Sequence, residues 1–268
     1  MNWWGRMPAH QDWSVTVLVT AIGLAAGWVW VTANPRVRQR LGGTRPVTLS
    51  RHAAFAVMLV LYLMAFGSPM NVWADRFSFA IHMSQHMLEV MGMVPFGLLA
   101  MPDWLVRPLL KVPGFQFFTR RFVGLLFFGV VLNGFHWPWL YDWTLRSAWV
   151  HGLEHGLFFV GALFFWWPLL SPLPEIPPFS PGWQIVYAMS GMNIMMPISV
   201  YLLISRVPWY AYPYAHDPAL RVLGLTPLAD QQWGGLIMLL AGGTALGASL
   251  VRAFWRYQEL GPELLASD

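Results

Sequence analysis

The segment WSVTVLVTAIGLAAGWVWVTA, residues 13–33, carries no charged side chain. A helix of this length is roughly 30 Å long, which matches the hydrocarbon thickness of a lipid bilayer. The residues before the segment lack a basic run, and its end lacks a small-residue cleavage site, so it does not have the pattern of a secretory signal peptide. We therefore expect a retained transmembrane helix in an all-α integral membrane protein.

Six further apolar segments of similar length follow along the chain. Together with the first they predict seven transmembrane helices, near residues 13–33, 52–70, 77–100, 122–141, 147–170, 183–206 and 232–254. Of the 268 residues, 57% are hydrophobic and 10% are charged, which excludes an ordinary soluble domain. Because no hydrophilic stretch is long enough for a separate domain, we expect residues 1–268 to form a single polytopic domain, one helical bundle.

The basic residues predict the orientation of this bundle. If the N-terminus lies outside, eleven of them fall on the cytoplasmic side: Arg36, Arg38, Arg40, Arg45, Arg51, Arg107, Lys111, Arg120, Arg121, Arg252 and Arg256. Five fall outside: Arg6, Arg76, Arg146, Arg206 and Arg221. Cytoplasmic loops are enriched in lysine and arginine, so this bias favours an outer N-terminus and a cytoplasmic C-terminus. The net charge of +4 then reflects topology and does not require a nucleic-acid partner.

The third predicted helix contains an unusual polar stripe, FAIHMSQHMLE at residues 79–89. His82, His86 and Glu89 stand at i, i+4 and i+7, so their side chains share one face of a helix. A methionine follows each histidine, at Met83 and Met87, and places sulfur on the adjoining face. This spacing predicts one wall of a polar cavity within the membrane.

The fifth predicted helix repeats the arrangement in WVHGLEHGLFF, residues 149–159, where His151 and His155 share a face beside Glu154. The fourth adds Asn133 and His136, one turn apart. With the predicted orientation, most of these histidines lie roughly 5–10 Å below the outer surface, and His86 lies about one turn deeper. A single histidine in a membrane helix often only hydrogen-bonds a neighbour. Five histidines and two glutamates at similar depth favour a functional site.

The kinds of ligand atom that the chain offers restrict which metals or cofactors it could bind. The chain has no cysteine, which excludes disulfides and thiolate metal sites. Imidazole with thioether suits copper, above all Cu(I), whereas imidazole with carboxylate suits zinc or iron. His151-x-x-Glu154-His155 also matches the H-x-x-E-H pattern of some zinc proteases. Histidines from two helices are equally typical of b-type haem ligation, and Gly152 and Gly156 leave room for a macrocycle.

Three segments resemble, in this order and spacing, the multi-pass CtaG-type cytochrome c oxidase assembly proteins: FAIHMSQHMLEVMGMVPFGLLAMP (79–102), GFHWPWLYDWTLRSAWVHGLEHGLFFVGALFFWWPLLSP (134–172) and LTPLADQQWGGLIMLLAGG (225–243). The resemblance covers most of the chain from about residue 50 onward. It implies seven transmembrane helices and a role in maturing haem–copper terminal oxidases. That role is commonly attributed to supplying copper to the buried copper site of the catalytic subunit.

Carried onto this chain, the family motifs select His82, His86, His151, His155, Glu154, Asp230, Gln231 and Gln232. Glu89 and the methionine run at 189–196 are less typical of the family. Asp230 also has a purely structural interpretation, as an N-cap of the seventh helix. The two glutamines have one as well, as hydrogen-bond partners of neighbouring segments.

The leading hypothesis is a non-enzymatic assembly factor in the bacterial plasma membrane, which binds copper and delivers it to haem–copper oxidase subunits after loading by an extracytoplasmic donor. The expected metal ligands are His82, His86, His151 and His155, with His136 as an additional one. The expected supporting residues are Met83, Met87, Glu89, Glu154, Asn133, Asp230, Gln231 and Gln232. Three alternatives stay open: an intramembrane zinc metallohydrolase that uses Glu154 as base, a b-type haem protein, and a scaffold for oxidase subunits.

Overall fold

The structure is a computed structural model that describes residues 13–120, 122–212, 221 and 223–259. Within these ranges the regular elements are all helices, with no strand. Seven longer helices organise the fold: α1 (Val15–Ala33), α2 (Leu49–Gly67), α3 (Phe79–Ala100), α4 (Val123–Phe135), α5 (Ala148–Leu170), α6 (Pro181–Ile204) and α7 (Pro227–Glu259). Arg6 and Arg121, used above to predict orientation, lie outside the described residues.

Helices α1, α2, α5, α6 and α7 are each long and apolar enough to cross a membrane. Helices α3 and α4 meet the same condition only together with the short helices that follow them, Asp103–Lys111 at an angle of 108° and Pro138–Thr144 at 79°. By length and composition, the described residues therefore contain five candidate membrane-spanning helices, or up to seven if each bent pair is one span. This confirms the prediction of an all-helical protein with several candidate membrane spans.

Helix four differs from the sequence prediction, because it is not continuous over 122–141. It ends at Phe135, and a second short helix begins at Pro138. A residue before proline is pushed out of the helical region, and Trp137 accordingly has an extended backbone (φ −71°, ψ 129°). Pro138 then starts the new helix, where its missing N–H costs nothing. The break leaves His136 at the C-terminal end of α4.

Two other boundaries are also corrected. Helix α2 covers Leu49–Gly67 and not 52–70, because the chain turns ahead of Pro69 into a short helix, Met70–Arg76. Helix α7 begins at Pro227, five residues before the predicted start at 232. Thr226 precedes it and accepts a hydrogen bond from the Ala229 N–H through its hydroxyl (3.2 Å). Asp230 consequently lies inside the helix.

Glycines set the closest approaches between helices. A Cβ atom at Gly124 of α4 would lie 2.4 Å from the carbonyl oxygen of Phe164 on α5. A Cβ atom at Gly235 of α7 would lie 2.6 Å from the carbonyl oxygen of Ser199 on α6. Both distances are shorter than a real Cβ contact and involve backbone, which cannot move aside. Helix α4 is thereby held against α5, and α7 against α6.

The α4–α5 contact yields a stability prediction. Replacing Gly124 with alanine forces the two backbones apart, and we expect it to lower the free energy of unfolding by about 1–3 kcal/mol. Gly134, on the same helix, is the matched control, because a Cβ there meets nothing within 4 Å. Gly134→Ala should be neutral or slightly stabilising. Thermal unfolding in detergent measures both, and equal melting temperatures would contradict this packing.

Candidate metal site

Helix α3 is irregular where its polar stripe ends. Residues Leu88–Met93 form a π-helical turn, closed by a hydrogen bond from the Val94 N–H to the Glu89 carbonyl. Pro95 follows directly, and a proline ring clashes with the carbonyl four residues earlier in a regular helix. The wider turn relieves that clash. Such bulges are frequent at functional sites because they redirect side chains, and Glu89 lies at the start of this one.

Each of α3 and α5 carries a pair of facing histidines. On α3, the Nε2 atoms of His82 and His86 are 2.7 Å apart, and both side chains are buried. On α5, the Nε2 atoms of His151 and His155 are 3.1 Å apart, and both side chains are partly buried. Two nitrogen ligands of a tetrahedral zinc-sized ion are separated by roughly 3.3 Å, given metal–nitrogen bonds of about 2.0–2.1 Å. The His151–His155 spacing is close to that value, whereas the His82–His86 spacing is shorter and is that of a hydrogen bond between the two rings.

The two pairs face each other across the α3–α5 interface. The ring centroids of His82 and His151 are 5.4 Å apart, and those of His86 and His155 are 4.6 Å apart. Glu154 lies between the helices and is buried, with its carboxylate oxygens 3.7 Å from His82 Nε2 and 3.5 Å from His86 Nε2. The sequence spacing placed these groups on two separate helices, and the fold brings them into one cluster.

Glu89 fixes the orientation of one imidazole. Its Oε2 atom lies 2.8 Å from His155 Nδ1, which donates to the carboxylate. A neutral imidazole that donates from Nδ1 presents a lone pair at Nε2. Carboxylate–histidine pairs orient metal-binding imidazoles in the same way. His155 is therefore set to offer Nε2 to the cluster.

The cluster divides into two groups that can hold a metal ion. His82, His151 and Glu154 form one, and His86, Glu89 and His155 form the other; within each, the ligand atoms lie within 4.8 Å of one another. Within the cluster, three buried polar atoms have no hydrogen-bond partner among the described residues: His82 Nδ1, His86 Nδ1 and Glu154 Oε2. Burying such an atom without a partner costs about 1–3 kcal/mol, so the arrangement suits a bound cation.

His136 forms a nitrogen–sulfur pair with α3. Its Nδ1 atom lies 2.7 Å from the carbonyl oxygen of Leu132, to which it donates, and its Nε2 atom lies 3.3 Å from Met83 Sδ. A neutral imidazole in this state and a thioether both present lone pairs. Two facing lone pairs are the arrangement in which a soft cation can be shared.

The remaining predicted supporting residues make other contacts. Met87 is buried in the apolar core. Asn133 is exposed on α4, and its amide donates to the Gly129 carbonyl one turn back (2.8 Å). Gln231 accepts from the Trp209 N–H (2.7 Å), and Gln232 donates to the Ser205 carbonyl (3.0 Å). The two glutamines therefore hold the segment that leaves α6.

Asp230 caps α3 and not its own helix. It accepts hydrogen bonds from the Ser78 hydroxyl (2.7 Å), from the Phe79 N–H (2.7 Å) and from the Ala80 N–H (3.2 Å). A carboxylate at a helix N-terminus satisfies N–H groups that have no partner in the helix, and it interacts favourably with the helix dipole. The sequence interpretation was right that the Asp230 carboxylate caps a helix N-terminus, but the helix is α3 and not α7. Asp230 fixes the turn that precedes His82.

Aromatic residues that the sequence interpretation missed close the cluster on the Phe79 side. The Tyr141 ring lies 5.3 Å from that of His82 and 4.4 Å from that of Tyr210. The Tyr210 hydroxyl donates to the His136 carbonyl (3.1 Å), and the Tyr141 hydroxyl bonds that of Tyr212. Burial raises the pKa of Tyr210, which keeps this hydroxyl protonated as a donor. The tyrosine-rich stretch WYAY at 209–212 was the available sequence signal.

A cavity of about 530 Å³ reaches the cluster from the side of α1 and α2. Glu89 and His155 form part of its wall, and the rest is largely apolar, including Phe55, Met58, Phe66, Met93, Phe159 and Leu163. The α5 side of the cluster is therefore accessible, whereas His82 and His86 are enclosed.

Comparison with protein-family models gives one match that spans most of the chain. The family is described as cytochrome c oxidase caa3 assembly factor (Caa3_CtaG), and the match covers residues 28–259. It includes every residue of the cluster and Asp230, and it confirms the resemblance inferred from the sequence motifs. Comparison with curated proteins and with solved structures found no match.

The Asp230 cap can be tested directly. Asp230→Ala leaves buried N–H groups of α3 without an acceptor, so we expect the free energy of unfolding to fall by about 1–3 kcal/mol. Asp230→Asn keeps one acceptor oxygen and should lose less. Hydrogen exchange at Phe79 and Ala80 should rise in the alanine variant. Gln232→Ala is the control, since its amide bonds Ser205, and it should leave exchange at α3 unchanged. Unchanged exchange in Asp230→Ala would contradict the cap.

Proposed function

The chain belongs to the cytochrome c oxidase caa3 assembly factor family, and from this membership we propose that it binds copper and delivers it to a haem–copper oxidase as a non-enzymatic assembly factor. The observation that carries the proposal is the meeting of two histidine pairs, His82 with His86 and His151 with His155, around the buried carboxylate of Glu154. Copper is the cargo of such a protein.

The four histidines are the proposed ligands, and the surrounding groups tune them. Glu89 accepts from His155 Nδ1 and thereby turns its Nε2 atom toward the other histidines, and Glu154 balances the positive charge of a bound ion. His136 and Met83 supply a neighbouring nitrogen and sulfur, a combination that favours Cu(I). We keep Met87, which follows His86, as an assisting thioether. An assembly factor must release its metal, and neutral donors permit that exchange more readily than thiolates.

The same proposal includes topology and location. We place residues 1–268 in one polytopic domain of the bacterial plasma membrane, with seven crossings, an outer N-terminus and a cytoplasmic C-terminus. The distribution of basic residues supports this orientation. The bent pairs that begin with α3 and α4 supply the sixth and seventh spans. The histidine cluster, near the start of α3 and α5, then lies close to the outer face, where an extracytoplasmic donor can load it and an oxidase subunit can receive the metal.

Metal analysis of the detergent-purified protein tests copper binding. We expect the wild type, loaded with copper, to retain it after desalting, and the variant with alanine at 82, 86, 151 and 155 to retain less copper per chain. His52→Ala is the control, because His52 lies on α2 and accepts from the Trp28 indole (2.9 Å). Copper retained undiminished by the fourfold variant, or never bound by the wild type, would overturn the proposal. A strong Soret band would instead support haem.

Substitution of Glu154 distinguishes the assembly-factor proposal from the zinc-hydrolase alternative. Its carboxylate lies beside both α3 histidines, so we expect Glu154→Gln to weaken copper binding by about 10- to 100-fold. Oxidase maturation in cells should fall in parallel. Glu175→Gln, an exposed loop carboxylate paired with Arg107, is the control. Cleavage of a membrane peptide that Glu154→Gln abolishes, with copper binding intact, would support the hydrolase.

A further inference from the structure

A second, smaller cavity lies between α6 and α7, apart from the histidine cluster. Its volume is about 210 Å³. Four methionines line it: Met192, Met195 and Met196 of α6 and Met238 of α7. Three of the four methionines in the run at 189–196, which the family motifs leave unexplained, therefore meet a methionine from another helix at one cavity.

The helical spacing directs the α6 methionines to one face. Met192, Met195 and Met196 stand at i, i+3 and i+4, and Ser199 completes the stripe at i+7. On α7, Gly242 faces this stripe: a Cβ there would lie 2.9 Å from Met195 Cε and 3.4 Å from Met195 Sδ. The absence of a side chain at Gly242 leaves room for the Met195 thioether against the α7 backbone.

Ordinary packing does not account for this arrangement. Methionine usually fills irregular gaps between helices. Here the four side chains border a space several times the roughly 30 Å³ that one water molecule occupies in the liquid. Met195 and Met238 are buried, whereas Met196 is half exposed at the edge of the cavity. Thioethers thus lie both inside the cavity and at its mouth.

We propose that this cavity is a second metal site, which binds Cu(I) through the thioethers of Met192, Met195, Met196 and Met238. Thioether sulfur is a soft ligand that selects Cu(I) over zinc. The described residues that line the cavity include no carboxylate or imidazole to compensate a second positive charge. A divalent ion would therefore be much more costly than a monovalent one at this depth.

The new site is separate from the histidine cluster along α7. Met238 lies eight residues beyond Asp230, about 12 Å further along the helix, and Asp230 contacts the first turn of α3. The proposal rests on the proposed function only in taking copper as the physiological metal. The binding experiment therefore starts from a chain that lacks the histidine ligands, so the two proposals fail independently.

The experiment measures anaerobic Cu(I) binding, against a chromophoric Cu(I) chelator, in the variant with alanine at 82, 86, 151 and 155. We expect this variant to bind Cu(I) in a fixed ratio to the protein, to bind Ag(I) in its place and not to bind Zn(II). Converting Met192, Met195, Met196 and Met238 to leucine, which conserves volume, should reduce the bound Cu(I) to background. Copper K-edge absorption should show sulfur neighbours before this change and not after it.

The matched control converts four methionines outside this cavity to leucine: Met58, Met64, Met93 and Met189. It should keep the Cu(I), and since His136 and Met83 are present in both sets, the difference isolates the cavity. Equal Cu(I) in the two leucine sets, a site that prefers Zn(II), or no Cu(I) in the fourfold alanine variant would overturn the proposal. If the fourfold alanine variant cannot be purified, the two sets of leucine substitutions are compared in the wild-type chain. The cavity set should then reduce the sulfur signal in the copper K-edge spectrum, and an unchanged sulfur signal would contradict the proposal.

Discussion

Ionisable side chains inside an apolar layer must satisfy one another, and this constraint organises the protein. An isolated carboxylate or imidazole buried in an apolar environment costs several kcal/mol. Glu89 and Glu154 meet this requirement only because α3 and α5 pack face to face, which brings the first against His155 and the second against His82 and His86. This satisfaction is only partial, because His82 Nδ1, His86 Nδ1 and Glu154 Oε2 have no hydrogen-bond partner among the described residues.

The rest of the bundle fixes this interface. Helix α7 packs on α6 through Gly235 and contacts α3 through Asp230. Helix α7, which carries no histidine of the cluster, therefore fixes the position of α3, which carries two. Helix α4 approaches α5 at Gly124 and ends at His136, which it delivers beside Met83. The tyrosines around Tyr210 then enclose the α3 pair. Positioning thus depends on contacts between residues that are distant in sequence.

Local patterns carried much of the prediction. The apolar lengths predicted the helical class, and the i, i+4 spacing predicted that His82 and His86, like His151 and His155, share faces. Pro138 signalled the break in α4, although the continuous apolar pattern concealed it. Three features needed the tertiary fold. The Asp230 cap joins residues about 150 positions apart, the His136–Met83 pair depends on the α4 break, and the methionine cavity needs α7 beside α6. No periodicity within one segment encodes such contacts.

We propose that α3 and α5 together form one copper site. Anomalous diffraction at the copper edge, from crystals of the copper-loaded protein, locates the bound metal. We expect a peak between the imidazoles of His82 and His86 on one side and those of His151 and His155 on the other, near Glu154. A copper-loaded crystal with no peak at that position would contradict it.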